Sequence, residues 1–162
     1  SNETKVAWEC ALTYDGPTAL VLSRQSLPMT TDGDAVRFGA ETISATPNPD
    51  LILVGTGSEV SVCVGAAKLL SESGTKVSVV SMPSMDRFEQ QPAQYRATVF
   101  PPNVPVVSVE AGVTFGWSQY ADVSVGIDRF GASAPGSTVL KNLGISAENV
   151  AEQARTLLSK SK

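Results

Sequence analysis

The sequence contains no histidine, and this absence excludes several common kinds of active site. A Ser-His-Asp triad or a Cys-His pair needs an imidazole as general base, and a histidine-rich zinc site needs imidazole ligands. Most familiar hydrolase mechanisms therefore cannot be built from this chain alone.

Cysteine is almost as scarce. The two cysteines, Cys10 and Cys63, form no C-x-x-C motif, and both fall on predicted helix faces. This placement favours reduced thiols packed in a core over a disulfide framework. We therefore expect an intracellular protein, cytoplasmic in the first instance, with an organelle as the alternative.

Long basic and long apolar runs are also missing. The chain is mildly acidic, with 16 acidic against 12 basic residues, which argues against nucleic acid or an anionic membrane as a partner. No apolar stretch reaches membrane-spanning length, and no signal peptide is recognisable. The length of 162 residues and a hydrophobic fraction of 42% predict one domain with a substantial core.

The chain is organised around the stretch Asp50–Leu70. Its apolar run Leu51–Val54 predicts a strand buried on both faces, and Gly55-Thr56-Gly57 predicts a tight turn. Ser58 is a candidate N-cap for the helix that follows. The helix is indicated by apolar residues at helical spacing, namely Val62, Cys63, Ala66, Leu69 and Leu70, and Gly74 should end it.

A glycine turn before a helix is also typical of nucleotide-binding sites. Here the third position of the dinucleotide fingerprint is Val60, and the next strand ends in Ser81-Met82 without the expected acid. We therefore interpret the turn as architectural. An independent nucleotide- or anion-binding module that uses the Gly55–Gly57 turn stays open as the alternative.

Strands and helices continue to alternate after this unit, which predicts an α/β fold with a parallel sheet covered on both sides. The further core strands are Lys76–Met82, Pro105–Glu110 and Val123–Ile127. The helices are expected to begin near Ser84, Pro92, Gly116, Thr138 and Ser146.

The first part of the chain is predicted to contain elements that cannot form a buried core by themselves. Glu3–Tyr14 should be a helix, Thr18–Ser23 a buried strand, and Ala35–Ser44 an edge strand that could be antiparallel. A lone helix and strand cannot bury both faces of the strand. Because the sequence also begins at Ser1 without a methionine, we expect it to be a piece of a larger protein.

Four carboxylates follow predicted strand ends: Glu59, Asp86, Glu110 and Asp128. Sites in open α/β sheets lie at this edge, so a cluster there could bind a hard cation or act as an acid–base pair. The competing interpretation is structural. Glu59 and Asp86 would occupy first helical turns, where a negative charge is favourable, and Arg87 and Arg129 are near in sequence.

Three aromatic residues, Phe115, Trp117 and Tyr120, follow the third core strand in a turn and short helix. Exposed together, they would mark an interface. The alternative is that they fold onto the edge of the sheet as ordinary core.

Five segments, in this order, resemble the C-terminal part of transketolase. They are GPTALVLSRQ (Gly16–Gln25), LVGTGSEV (Leu53–Val60), VVSMPSMDRFEQQ (Val79–Gln91), VEAG (Val109–Gly112) and IDRFGASAP (Ile127–Pro135). GTGSEV is shared with other thiamine-dependent enzymes, whereas the combination of SRQ, VSMPS and DRFGASAP is particular to transketolase.

The resemblance implies a three-layer sandwich whose mostly parallel sheet has about five strands, one edge strand being antiparallel. It also implies a division of the chain. Residues 1–28 would be the tail of the preceding pyrimidine-binding domain, residues 29–34 a linker, and residues 35–162 the transketolase C-terminal domain.

The resemblance further implies that the parent enzyme transfers a two-carbon ketol unit between sugar phosphates in the pentose phosphate pathway. It would use thiamine diphosphate with Mg²⁺ or Ca²⁺, bound by the other domains and across a homodimer. The family's diphosphate-binding GDG…N segment and its active-site histidines are absent from this chain. We therefore expect the chain alone to bind no cofactor and to be inactive, with the other domains and the partner subunit as its partners.

One site residue is implied by the resemblance. In transketolases the arginine of the SRQ segment binds the substrate phosphate, and here that residue is Arg24. A planar guanidinium suits bidentate phosphate binding. The alternative is a solvated loop arginine.

Overall fold

A five-stranded sheet forms the centre of the molecule. The computed structural model describes residues 1–160. Its elements in chain order are α1 (Asn2–Thr13), α2 (Asp34–Phe38), β1 (Glu41–Ser44), β2 (Leu51–Gly55), α3 (Glu59–Ser71), β3 (Val77–Ser81), α4 (Met85–Glu89), α5 (Ala93–Val99), β4 (Val106–Val109), a 3-10 turn (Trp117–Gln119), β5 (Val123–Val125), α6 (Gly136–Asn142) and α7 (Ala147–Lys160).

The strand order is β1-β3-β2-β4-β5. β2, β3, β4 and β5 pair in parallel, and β1 pairs with β3 in the antiparallel sense at the edge of the sheet. The three central strands, β3, β2 and β4, consist entirely of buried residues, as expected for strands covered on both faces. The predicted fold class, a mostly parallel five-stranded sheet with one antiparallel edge strand, is confirmed.

The two faces of the sheet carry separate cores, because side chains alternate along each strand. Leu51 and Leu53 of β2 pack in one core together with residues of α3 and α7, among them Cys63 and Val150. On the opposite face, Ile52 and its neighbours pack with residues of α4, α5 and the 3-10 turn.

Phe88 is the centre of the second core. Its ring makes edge-to-face contacts with Tyr95, Phe100 and Tyr120, at centroid distances of 6.4, 5.5 and 6.0 Å. Such arrangements stabilise aromatic clusters beyond the area that they bury. Short helices and a turn are thereby held on this face of the sheet.

The predicted strand Thr18–Ser23 is not formed among residues 1–160. Residues 17–31 form neither helix nor strand, and Val21 is 95% exposed. A strand needs neighbours that accept and donate its backbone hydrogen bonds, and no segment among residues 1–160 pairs with this one. Without a partner strand among the described residues, the segment is extended and unpaired.

The predicted edge strand Ala35–Ser44 is half wrong. Its first part is the helix α2, and only Glu41–Ser44 forms the strand β1. Gly39, with φ of +89°, ends α2 and reverses the chain. Ala35 and Val36 are buried from adjacent positions, which a helix allows and a one-sided strand does not.

In the described part of the chain, α1 makes three polar contacts with later residues. Arg37 of α2 forms an ion pair with Glu9 of α1. Asn2 Nδ2 donates to the carbonyl oxygen of Thr31 at 2.8 Å, and Ser81 Oγ donates to Glu3 Oε1 at 2.8 Å. The last contact brings α1 to the end of β3. Among residues 1–160, no helix is both long and apolar enough to span a bilayer.

Candidate functional site

The carboxyl ends of the central strands meet at one edge of the sheet. In the pairing register, Gly55 of β2 lies beside Ser81 of β3 on one side and Val109 of β4 on the other. The residues that follow these ends therefore converge, as expected for a parallel sheet. This edge is the natural place to look for a site.

The turn from β2 into α3 is tight because of Gly55. A Cβ on Gly55 would lie 3.1 Å from Cys63 Sγ and 3.2 Å from the carbonyl carbon of Glu59. Gly55 thus permits α3 to approach the strand closely. Gly57, with φ of +54°, completes the turn.

Two sequence interpretations of this helix are resolved. Ser58 is not an N-cap of the predicted kind, since its backbone is already helical and its hydroxyl donates to Glu59 Oε1. Val60 is 1% exposed and belongs to the core. A branched residue at that position agrees with an architectural turn.

Glu59 and Glu110 are the two predicted carboxylates that the structure brings together. Glu59 is 4% exposed, and Glu110 is half-buried at the end of β4. Burial raises the pKa of Glu110 from 4.5 to about 7, and the charge of Glu59 adds to the effect. Glu110 can therefore hold or release a proton near neutral pH.

The other two predicted carboxylates do not join this pair. Asp86 is exposed in the first turn of α4, where Ser84 caps the helix by accepting from Arg87 N at 3.4 Å. Asp128 accepts from Thr114 N at 2.8 Å and from Thr114 Oγ1 at 2.9 Å. Its observed role is to join two loops. Within residues 1–160, no group of three or more Asp, Glu or Cys side chains could hold a metal ion.

A cleft of about 700 Å³ lies between the N-terminal segment and this edge of the sheet. One wall is made of α1 and residues 18–31, and the other comprises the β2–α3 turn and the ends of β3 and β4. Glu59, Glu110 and Glu3 line it together with hydroxyl and amide side chains, and Arg87 is its one basic lining residue among those described. The contact of Glu3 with Ser81 carried no sequence signal, because it joins positions distant in the chain.

Arg24 lies on the exposed segment beside the cleft. Its neighbours Ser23 and Gln25 line the cleft. Among residues 1–160, Arg24 has no hydrogen-bond or ion-pair partner. Its guanidinium is thus available to an anion, whereas its predicted role stays a prediction.

The three aromatic residues after β4 do not form one exposed cluster. Phe115 is 91% exposed, but Trp117 is 3% exposed and packs in the second core. Tyr120 is half-buried and donates its hydroxyl to Glu89 Oε1 at 2.6 Å. The interface interpretation is therefore wrong for Trp117, which covers the apolar face of the sheet.

Comparison with known proteins shows which family this chain is similar to. Residues 39–146 match the family of transketolase-like C-terminal domains. The chain belongs to the transketolase family. It is 44% identical over 171 aligned residues to the transketolase of Bacillus subtilis, an alignment that covers 98% of this chain and 26% of that protein.

Solved transketolases have the same structure over nearly all of the chain. The transketolase from Leishmania mexicana superposes with a TM-score of 0.94 at 44% identity, covering 98% of this chain and 24% of that one. A Pichia stipitis transketolase, solved in complex with sedoheptulose-7-phosphate, gives 0.92 at 38% identity with the same coverage. The chain thus spans about a quarter of the transketolases it matches. Neither the family match nor these relatives support an independent nucleotide-binding module.

Proposed function

We propose that the protein containing this chain is a transketolase that transfers a two-carbon ketol unit between sugar phosphates in the pentose phosphate pathway. The observation that carries the proposal is the 44% identity to a transketolase across 98% of the chain. The chain supplies the C-terminal domain. Residues 1–28 would complete the preceding pyrimidine-binding domain, with residues 29–34 as linker and residues 35–162 as the C-terminal domain.

The cofactor would be held outside this chain. Transketolase relatives imply thiamine diphosphate and a divalent cation, Mg²⁺ or Ca²⁺, in the whole enzyme. Among the described residues, no group of three or more Asp, Glu or Cys side chains could hold a metal ion, and Glu59 and Glu110 are the only carboxylates of the predicted set that lie together. We propose that the other domains hold the cation and the thiamine diphosphate.

The partners proposed for this chain are the other domains of the same polypeptide and the second subunit of a homodimer. A reducing compartment suits the two free cysteines, Cys10 and Cys63. We propose the cytoplasm, with an organelle as the alternative.

We further propose that Arg24 binds the phosphate of the substrate. Support comes from its exposure, from its lack of a partner among residues 1–160, and from its place beside the cleft. A charged hydrogen bond of this kind contributes roughly 1.5–3 kcal/mol, or about ten- to a hundredfold in affinity. Arg24→Ala in the full-length enzyme should therefore raise KM for ribose phosphate by that factor and leave KM for ribose nearly unchanged.

The test of the activity uses two purified proteins. With thiamine diphosphate, Mg²⁺, xylulose phosphate and ribose phosphate, the full-length protein should transfer the ketol unit, whereas residues 1–162 alone should not. An inactive full-length protein with a correctly folded cofactor domain would overturn the proposal. Turnover by the isolated chain would overturn the assignment of the chemistry to the other domains. Equal losses for ribose phosphate and ribose in Arg24→Ala would mean that Arg24 holds structure.

A further inference from the structure

Two loops at the carboxyl edge of the sheet expose large apolar side chains. Val113 and Phe115, in the loop after β4, are 59% and 91% exposed, and Phe130, in the loop after β5, is 99% exposed. A phenylalanine side chain buries roughly 150–250 Å² when it is covered, so the two rings together leave roughly 300–500 Å² open to solvent. An exposed apolar area of this size often marks an interaction site.

Hydrogen bonds hold these two loops together. Thr114 donates from its backbone amide and from its hydroxyl to the carboxylate of Asp128, at 2.8 and 2.9 Å. The Ile127 amide donates to the carbonyl oxygen of Gly112 at 2.7 Å. Exposed and half-buried positions alternate along residues 111–115, and the two residues that flank Thr114 are exposed. The apolar side chains are therefore presented on a backbone that is fixed by hydrogen bonds, and not on a free loop.

The residues proposed to belong to the preceding domain lie beside both loops. Residues 18–31 line the cleft together with Glu110, which is the residue before the first loop. At the end of the second loop, a Cβ on Gly136 would lie 3.5 Å from Gln25 Nε2, which is ordinary contact distance. The domain that residues 1–28 complete must therefore lie at this edge of the sheet.

Residues 1–29 themselves indicate that more protein covers this side. Several of their large apolar side chains are more than half exposed, among them Trp8, Leu12, Tyr14, Val21 and Met29. The chain spans about a quarter of the transketolases it matches, so about three quarters of such a protein lies outside it. The superposition on a whole transketolase covers 98% of the chain and so includes nearly all of residues 1–28. This segment therefore keeps its place beside the two loops when the remaining domains are present.

We propose that residues 111–116 and 126–131, which we call the docking loops, bind the domain to which residues 1–28 belong, within the same polypeptide. Phe115 and Phe130 are the apolar anchors, and Asp128 is a positioning residue that fixes the first loop through Thr114. The direct connection through residues 29–34 gives this domain a high effective concentration at the loops, which favours it over the second subunit. The proposal rests on the proposed division of the chain and not on the proposed activity.

Hydroxyl-radical footprinting of the full-length protein, read by mass spectrometry, measures the exposure of both rings. Phe115 and Phe130 should be oxidised at least about tenfold more slowly than the phenylalanine of a short reference peptide in the same sample, because the centre of an interface excludes water. Oxidation at the rate of the peptide would overturn the proposal. No substrate is used, so protection of both rings in a protein that transfers no ketol unit would support the docking and overturn the proposed activity.

Charged variants of the full-length protein test what the loops contact. Phe115→Asp and Phe130→Asp should each raise the rate of proteolytic cleavage within residues 29–34 about tenfold, because a buried carboxylate without a partner is costly and cleavage follows the open population. Val64→Asp is the matched control, since Val64 is an exposed residue of α3 outside both loops, and its cleavage rate should equal that of wild type. The effect belongs to the full-length protein, because both rings are exposed in the chain alone.

Sedimentation across a dilution series identifies the occupant. The dissociation constant of the homodimer should be the same for Phe115→Asp, Phe130→Asp and wild type, because the contact lies within one polypeptide. A weakened dimer with an unchanged cleavage rate would assign the docking loops to the second subunit and overturn the proposal.

Variants of Thr114 test the positioning role of Asp128. Thr114→Val should raise the cleavage rate about fivefold, because a hydrogen bond to a charged group is lost, whereas Thr114→Ser keeps the hydroxyl and should behave as wild type. Adding Thr114→Val to a protein that carries both aspartate substitutions should have no further effect, since the anchors are already gone. A wild-type cleavage rate in Thr114→Val, or a further rise in the triple variant, would overturn the role of Asp128 in docking.

Discussion

Glu110→Gln should make the protein more stable at neutral and alkaline pH. The pKa of Glu110 is raised from 4.5 to about 7, first by burial and then by the charge of Glu59. Because the folded state holds the proton more tightly than the unfolded chain, the stabilisation is complete below pH 4.5 and is lost as the pH rises towards 7. The Glu110→Gln variant has no titratable group at this position, so its free energy of unfolding does not fall for this reason as the pH rises.

The size of the effect follows from the shift. A change from 4.5 to about 7 is about 2.5 pH units, which corresponds to at most ~3.4 kcal/mol at about 1.36 kcal/mol per unit. Glu110 is only half-buried, so solvent screening reduces the expected effect to about 1–2 kcal/mol. Between pH 4.5 and pH 8, the free energy of unfolding of wild type relative to Glu110→Gln should fall by that amount.

Urea denaturation of the 162-residue chain and its variants across this pH range measures the difference. Glu148→Gln is a control of opposite sign: its own backbone amide, and then the Ser146 hydroxyl, lower the pKa of Glu148. Wild type should therefore lose the contribution of Glu148 as the pH falls below 4.5. Carboxyl NMR titration of Glu110 gives the pKa directly, and Glu59→Gln should lower it only in part, because burial is the larger cause.

Two results would refute the reasoning. A Glu110 carboxyl that titrates near 4.5 would mean that the end of β4 is better hydrated than its burial indicates. A wild type and a Glu110→Gln variant with parallel stability profiles would mean that protonation of this group is not linked to folding.

Four further substitutions test the packing. Val60→Ala should lower the free energy of unfolding by roughly 1–3 kcal/mol, because Val60 is 1% exposed; an unchanged urea midpoint would contradict its place in the core. Trp117→Ser should destabilise by about 3–5 kcal/mol, whereas Phe115→Ser should stay within about 0.5 kcal/mol, because only the tryptophan is buried. Similar urea midpoints for these two variants would refute that distinction. Gly39→Ala should destabilise the protein by on the order of 3 kcal/mol, because φ is +89° and a Cβ would collide with Phe88 N and Ser84 O. Thermal melting measures the change. A melting temperature equal to that of wild type would show that the chain relaxes at this position.

The central β-α-β framework was predictable because its signals are local. Leu51–Val54 is a short apolar run between a proline-rich loop and a glycine turn, and it forms the middle strand of the sheet. Alternation of such runs with helical patterns requires a parallel sheet covered on both sides. The alternation within Ala35–Ser44 predicts an edge strand that could be antiparallel, and the family resemblance adds the expectation of one antiparallel edge strand.

The errors fall where the deciding contacts are not local. Thr18–Ser23 has the composition of a strand, but strand formation depends on a partner strand, which residues nearby in the sequence do not indicate. The alternation of Val36, Phe38 and Ala40 imitates a strand as well. There the deciding contacts are those of α2 with α1, including the ion pair of Arg37 with Glu9.

The same distinction between local signals and non-local contacts applies to the candidate site. That Glu59 and Glu110 lie at one edge followed from strand direction, but their proximity depends on β2 and β4 being neighbours in the sheet, with Gly55 beside Val109. The cleft likewise joins residues at distant positions in the chain, because residues 18–31 lie opposite the β2–α3 turn and the end of β4. Neither segment indicates the other in the sequence, since only the fold brings the two together.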